Sequence, residues 1–232
     1  MWFTFVDGEI ETDRPVDGRR VGIELDGDLG YDDPYPTYAI EAAFRHNRHD
    51  FWITGTRFDE GETAPIGVTF TIGDQVFETG GKVKTKAELT DVDFRYGYSF
   101  YTYEEDGFRF GPTIAVSYTK FDVKVKEITI SDISLAADWS LEEETPVPTI
   151  GLNLEIPYNE FLFTGRIGGF YFDADDIEGT GVRSELSATW RPYENVGFYA
   201  GFYAFYADLE LKNEDIDDLL LYGPSVGIEL RF

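Results

Sequence analysis

The chain closes on Ser225-Val226-Gly227-Ile228-Glu229-Leu230-Arg231-Phe232, which alternates residue by residue, and the reading of that alternation decides the fold. Extended backward at period two, Leu220, Tyr222, Pro224, Val226, Ile228, Leu230 and Phe232 form one apolar face. Gly223, Ser225, Gly227, Glu229 and Arg231 form a small or charged face. The apolar face has the length of a strand that crosses a bilayer.

Composition bears on where such a strand sits. Hydrophobic residues are 42% of the chain and aromatic residues 17%, with 24 Gly and no Cys, and mean hydropathy is only -0.29. The longest apolar run, Phe202 to Ala207, falls far short of the ~18 residues a membrane helix requires. A membrane β-strand requires only about 9–11 alternating residues, which leaves mean hydropathy low. The start, Met1-Trp2-Phe3-Thr4-Phe5, lacks the basic segment and apolar core of a secretory signal, so the expectation is a mature form restarted at Met1 or a chain not exported by that route. Without cysteine there is no disulfide and no thiolate metal or redox chemistry.

The order polar, any, glycine, any, any, hydrophobic, any, aromatic, carried by Ser225, Gly227, Leu230 and Phe232, resembles the C-terminal assembly signal of bacterial outer-membrane β-barrels. The resemblance implies a place in the bacterial outer membrane, with outer-membrane lipid and the barrel-assembly machinery as partners. An ordinary C-terminal strand of a soluble β-protein is the competing reading, and the rest of the chain must separate the two.

The alternation recurs along the chain. Tyr38, Ile40, Ala42 and Phe44 oppose Glu41 and Arg45, and Val92, Phe94, Tyr96 and Tyr98 oppose Asp93 and Arg95. Phe110, Ile114, Val116 and Tyr118 oppose Arg109, Thr113 and Ser117; Ile133, Leu135, Trp139 and Leu141 oppose Asp138. Ile150, Leu152 and Ile156 oppose Glu155, Phe161, Phe163 and Ile167 oppose Arg166, and Val182, Leu186 and Trp190 oppose Arg183 and Glu185. Hairpin-sized strands with no helical period predict an all-β meander closed into an antiparallel up-and-down transmembrane barrel.

Turns set the topology. Short ones are His46 to His49, Pro157 to Glu160 and Arg191 to Asn195; longer acidic ones are Asp173 to Gly181 and Lys212 to Asp218. Outer-membrane barrels have short periplasmic turns and longer outer loops. Counting back from a periplasmic Phe232 places Lys212 to Asp218 and Asp173 to Gly181 outside and Arg191 to Asn195 and Pro157 to Glu160 inside, long and short on the matching sides. Continued, the count puts Glu142 to Thr145 outside, Lys124 to Ile130 inside and Glu104 to Gly107 outside, giving about twelve strands across residues 20–232. If the Val68-to-Gln75 and Ser131-to-Leu141 runs belong to outer loops, the count is about ten, and parity stays even. Residues 1–19 read as an N-terminal segment: an extra strand, a strap or a plug.

Charge then points to function. Net charge is -26, from 45 acidic and 19 basic side chains, yet the inward faces are nearly balanced. They carry Arg45, Arg95, Arg109, Arg166, Arg183 and Arg231 against Glu41, Asp93, Asp138, Glu155, Glu185 and Glu229, the expected lumen-lining set. The acid excess falls in loops such as Asp32-Asp33, Glu104-Glu105-Asp106 and Asp215 to Asp218. Acidic loops concentrate cations at a mouth, or bridge through divalent cations to anionic headgroups; they also serve simply as a solvated surface. Such acidity excludes a nucleic-acid footprint. The favoured expectation is a narrow pore or small-solute channel, with a closed structural or adhesive barrel as the alternative.

No enzyme, metal or cofactor is expected. His46 and His49 share one tight turn, with no partner at a catalytic or metal-ligand spacing, although a lipid-modifying enzyme of the outer membrane stays in view. Trp190, Tyr193, Tyr158 and Phe161 fall beside inner turns, Tyr101 and Tyr103 at a strand end and Trp139 near an outer rim, as aromatic girdles would. A soluble lipocalin-like barrel turns its apolar faces inward and requires a densely charged opposite face, which the Gly, Ser, Thr and Ala here do not supply. An engineered barrel would share the same pattern.

Overall fold

The computed structural model describes residues 1–12, 22–25, 28–29, 31, 34–66, 70–72, 75–77, 80–102, 107–128, 138–174, 177–211 and 214–232. It is all-β, a closed antiparallel barrel of ten strands with two short strands attached. The wall strands are β1 (Trp2–Thr12), β2 (Tyr35–His46), β3 (His49–Pro65), β4 (Lys82–Tyr98) and β5 (Arg109–Ile128), then β6 (Asp138–Tyr158), β7 (Phe161–Ala174), β8 (Ile177–Tyr193), β9 (Val196–Leu211) and β10 (Glu214–Leu230). Each pairs with its neighbours in sequence, and β1 pairs with β10 to close the ring. The attached strands are Gly22–Glu24, beside β1, and Tyr101–Thr102, beside β5; Phe70–Ile72 and Gln75–Phe77 form a separate hairpin.

Of the two counts that the sequence leaves open, ten holds, and for a physical reason. Glu142 to Thr145, read from sequence as an outer turn, lies inside β6, where it pairs with Asp122 to Thr119 of β5. That ladder runs unbroken from Asp138 opposite Lys126 to Glu155 opposite Arg109, so Lys124 belongs to the rim remote from Phe232. The Glu104-to-Gly107 connection joins two strand ends on the Phe232 rim, on the side opposite to the one expected; residues 103–106 themselves lie outside the described residues. Residues 131–137 and parts of the Val68-to-Gln75 run also lie outside them. Trp2–Thr12, left open as strand, strap or plug, is a wall strand, with Trp2 opposite both Ser225 and Thr37.

The short turns are where the sequence put them. Asn47 (φ 55) and Asn159 (φ 53) take the left-handed conformation that tight hairpins demand and that asparagine tolerates. They share a rim with both chain ends.

The apolar face changes sides along most of the staves. In the half nearest Phe232, apolar side chains point outward and are exposed, as with Ile40 (77%) and Ile150 (74%), joined by Phe44, Phe94, Ile114, Leu186 and Ile228. In the other half the inward positions become apolar: Val83, Val125 and Ala207 are fully buried, with Phe58, Val147, Phe172 and Leu219 nearly so. The outward positions there are charged, including Lys84, Lys86, Lys124 and Lys126. One half is therefore built for a lipid exterior and the other for water around an apolar core.

Candidate functional site in the barrel lumen

Inward positions of the first half form a network of charges. Arg45 on β2 donates from Nε to Asp50 Oδ1 (2.5 Å) and from Nη2 to both oxygens of Glu155 (2.7 and 2.8 Å). Since Glu155 is on β6, this bond crosses the lumen. A second cross-brace joins Arg166 of β7 to Glu41 of β2 through Nη1 (2.8 Å) and Nη2 (3.2 Å), while Nη1 also reaches Glu185 (3.3 Å). The Arg166 guanidinium lies over the Trp52 ring, 5.4 Å from its centroid. Arg109, 3% exposed, donates to Asp50 Oδ2 (2.9 Å) and to the Asn47 carbonyl (3.1 Å). Arg95 donates to Asp93 (2.8 Å), which also accepts from Ser117. Near the rim, Arg191 and Glu229 make a two-bond pair (3.0 and 2.9 Å). Charge-assisted bonds of this kind are the stronger ones, and paired ions are what a low-dielectric interior tolerates.

Of the lumen-lining residues expected from sequence, Glu41, Arg45, Asp93, Arg95, Glu155, Arg166, Arg183, Glu185, Glu229 and Arg231 line a single cavity of about 1430 Å³. Arg109 is buried beside it through Asp50. Asp138 is a correction: at the far end of β6 it is exposed on the outer surface and pairs with Lys126 (3.2 Å). The even positions Asp138, Ser140, Glu144, Pro146, Pro148 and Ile150 of β6 are all exposed, so the alternation read upward from position 133 assigns Asp138 to the wrong face. Arg231 is exposed at the rim, its backbone N–H donating to Asn195 O (3.0 Å).

The assembly-signal residues divide between faces. Ser225 is buried inward, Leu230 and Phe232 are exposed, and Gly227 leaves the space that the Tyr199 ring occupies, so a β-carbon there would collide with it. Sequence reading missed Asp50, Asp91, Arg191, Trp52 and Tyr203. The first two were legible: Asp50 alternates with Phe51 and Ile53, and Asp91 precedes Asp93 by one period. Tyr203 was not, because its role depends on hydrogen-bonding Thr4 (2.6 Å), which in turn bonds Thr37 (2.6 Å) across the β1–β2 seam.

Toward the far rim the cavity wall turns apolar. Ile23, Leu29 and Tyr31, from the connection between β1 and β2, belong to one buried apolar cluster with Phe58, Val83, Val125 and Leu219 of the wall strands. The connection is anchored by Leu25 N–H to Gly8 O (2.9 Å) and Thr85 Oγ1 to Leu29 O (3.3 Å). Gly8, with φ +150, sits at a bulge where a β-carbon would press on Leu219 Cα at 3.1 Å. Beyond the apolar exterior, hydrogen bonds from Lys86 and then Arg57 hold the Asp59 carboxyl below its usual range. Burial, then Asp59 and Glu62, push Glu60 up.

His49 Nδ1 lies 2.8 Å from the Tyr96 hydroxyl and His46 beside Asn47, both at the short-turn rim. Among the described residues no cluster of three or more His, Asp or Glu is arranged to hold a metal.

No protein family matches the sequence, and no curated protein is significantly similar to it. The fold is similar to that of the outer membrane protease OmpT from Escherichia coli, with a TM-score of 0.60 and 9% identity over 100% of this chain and 94% of that one. The transport unit of the autotransporter AIDA-I from Escherichia coli matches at a TM-score of 0.42 and 12% identity, over 98% of this chain and 78% of that one. At such identities the likeness extends to the barrel alone.

Proposed function

We propose that this chain is an outer-membrane β-barrel whose lumen is a closed binding cavity opening toward the periplasmic rim, not a through-channel. The observation that carries this is the apolar packing of the described residues of the β1–β2 connection inside the outer half of the barrel, where Ile23 and Leu29 are 1% exposed in one cluster with Phe58, Val83, Val125 and Leu219 of the wall strands. A hydrated conduit requires polar lining along its whole length. The two cross-braces, Arg45 to Glu155 and Arg166 to Glu41, support the same reading by spanning the inner half. The outward apolar half supports membrane insertion, with the short turns and both described chain ends on the periplasmic side.

At the level of sequence the acidic loops are what favoured cation selectivity, and a narrow hydrated pore was favoured by the charged inward faces. They are consumed largely by pairing with one another, across the lumen and near its rim, which leaves little fixed charge to select an ion. The test is planar-bilayer conductance of detergent-refolded protein, with a heat-modifiability gel to certify folding. Folded, inserted and silent barrels are expected; discrete ion-selective steps would return the function to a pore.

A further inference from the structure

The lumen is apolar at one end and ionic at the other, and the junction holds a cation that makes no ion pair among the described residues. Arg183 on β8 lines the cavity, and among the described residues it makes no ion pair, unlike Arg45, Arg95, Arg109, Arg166 and Arg191. Its Nε is buried and has no hydrogen-bond partner. Asp91, which feels its charge, accepts instead from Thr119 Oγ1 (2.7 Å). The guanidinium stacks 6.0 Å from the Phe205 centroid, where the ionic region gives way to the apolar one.

Beyond Phe205 the apolar wall does not close on itself. Leu25, Ala87, Leu89, Val123, Leu209 and Leu221 are only partly buried, yet they point inward and line the same cavity. Apolar surface left facing an internal space wide enough for water is costly unless something apolar fills it. A buried guanidinium N–H without an acceptor carries its own penalty, and a planar carboxylate matches the guanidinium fork. We infer that the cavity binds a single-chain alkyl carboxylate, its head on Arg183 and its chain in the chamber beyond Phe205. The anionic head follows from the unpaired cation, and the single chain from a chamber enclosed by wall strands on every side. The volume, about 1430 Å³ with the ionic region included, exceeds what a small-molecule site requires.

This site rests on the closed-cavity reading, and the experiment separates the two. Protein reconstituted in phosphatidylcholine nanodiscs is incubated with laurate, dodecanol or dodecyltrimethylammonium, and retention is measured by native mass spectrometry against empty nanodiscs. One laurate per barrel is expected, with the alcohol held at least about tenfold more weakly and the cation not at all. Arg183→Gln should lose about tenfold in laurate affinity, whereas Arg57→Gln, on the outer surface, should match the unaltered protein. A heat-modifiability gel establishes that each variant is folded; should Arg183→Gln fail to fold, the acid-against-alcohol comparison on the unaltered protein still decides. Laurate retained no better than by empty nanodiscs, or no better than dodecanol, or equally by folded Arg183→Gln, overturns the site. A barrel that conducts yet retains laurate selectively overturns the closed cavity and leaves the site standing.

Discussion

Asp50 shows how much of the inner half depends on single carboxylates. It is 2% exposed, accepts from Arg45 and Arg109, and lies within hydrogen-bonding distance of Ser99. Replacing it with alanine removes the acceptor and leaves the Arg109 guanidinium buried without its ion pair. Breaking one partner of a buried pair costs about 3–5 kcal/mol, far more than the net worth of the intact pair. The Asp50→Ala variant should therefore lose most of that amount in urea-induced unfolding from liposomes. Asp50→Asn, which keeps an acceptor and loses the charge, should lose distinctly less. Equal losses would mean that the position matters for its shape and not its charge.

At the scale of elements, the lipid-free ends of β4 and β5 carry an electrostatic fault. Every lysine of the chain except Lys212 stands on these two strands, and the register sets Lys84 opposite Lys126 and Lys86 opposite Lys124. Like charges directly opposite on one face are destabilising. Lysines 86, 124 and 126 find carboxylates in Asp59, Asp122 and Asp138, but Lys84 faces Lys126 with no ion pair among the described residues. Lys84→Glu should raise the midpoint of thermal unfolding, and the gain should shrink in about 1 M salt, where the screening length is roughly 3 Å. A gain unaffected by salt would argue for packing in place of charge. The same strand ends explain what the sequence concealed. Within the apolar band, alternation alone assigned the faces of β7, β8 and β10 correctly, and Asn47 and Asn159 marked the tight turns. On β6, which pairs with β5, the apolar residues stand at even positions from Ile150 to Ile156 but at odd ones at Leu141 and Val147, so Glu142 to Thr145 reads as a turn, one strand resembles two, and the count of twelve follows. Half of the site was legible for a related reason. Alternation says which residues face inward, whereas the cross-lumen partners of Arg45 and Arg166 depend on ring closure between strands more than a hundred residues apart.

At the scale of the whole molecule, the switch of the apolar face predicts where the bilayer ends. Tyr118 and Tyr206 hold the last outward aromatic positions of β5 and β9, and each donates its hydroxyl to a carboxylate immediately beyond: Glu144 for Tyr118, Asp208 and Asp218 for Tyr206. An aromatic ring in the apolar layer with its hydroxyl on a charged group is the arrangement expected at a membrane–water interface. At the opposite rim Tyr158, Trp190 and Tyr193 are exposed beside the short turns. The aliphatic exterior between these rings has the alternation of a lipid-facing wall, and the lysine-bearing ends of β4 and β5 lie wholly beyond it. Nitroxide labels placed singly at Phe94, Ile114, Ile150, Leu186 and Ile228 in liposome-reconstituted protein should relax strongly with oxygen, which concentrates in the bilayer. Labels at Lys84 and Lys124 should relax with a water-soluble nickel chelate. The change from one behaviour to the other should fall between Tyr118 and Lys120 on β5. A barrel soluble in water would give chelate access at every outward position, and a bilayer reaching Lys124 would require the inward apolar core and the outward lysines to share the same depth. That combination would leave several ammonium groups in hydrocarbon at a cost of a few kcal/mol each, so the boundary at the tyrosines is the one that the chain can sustain.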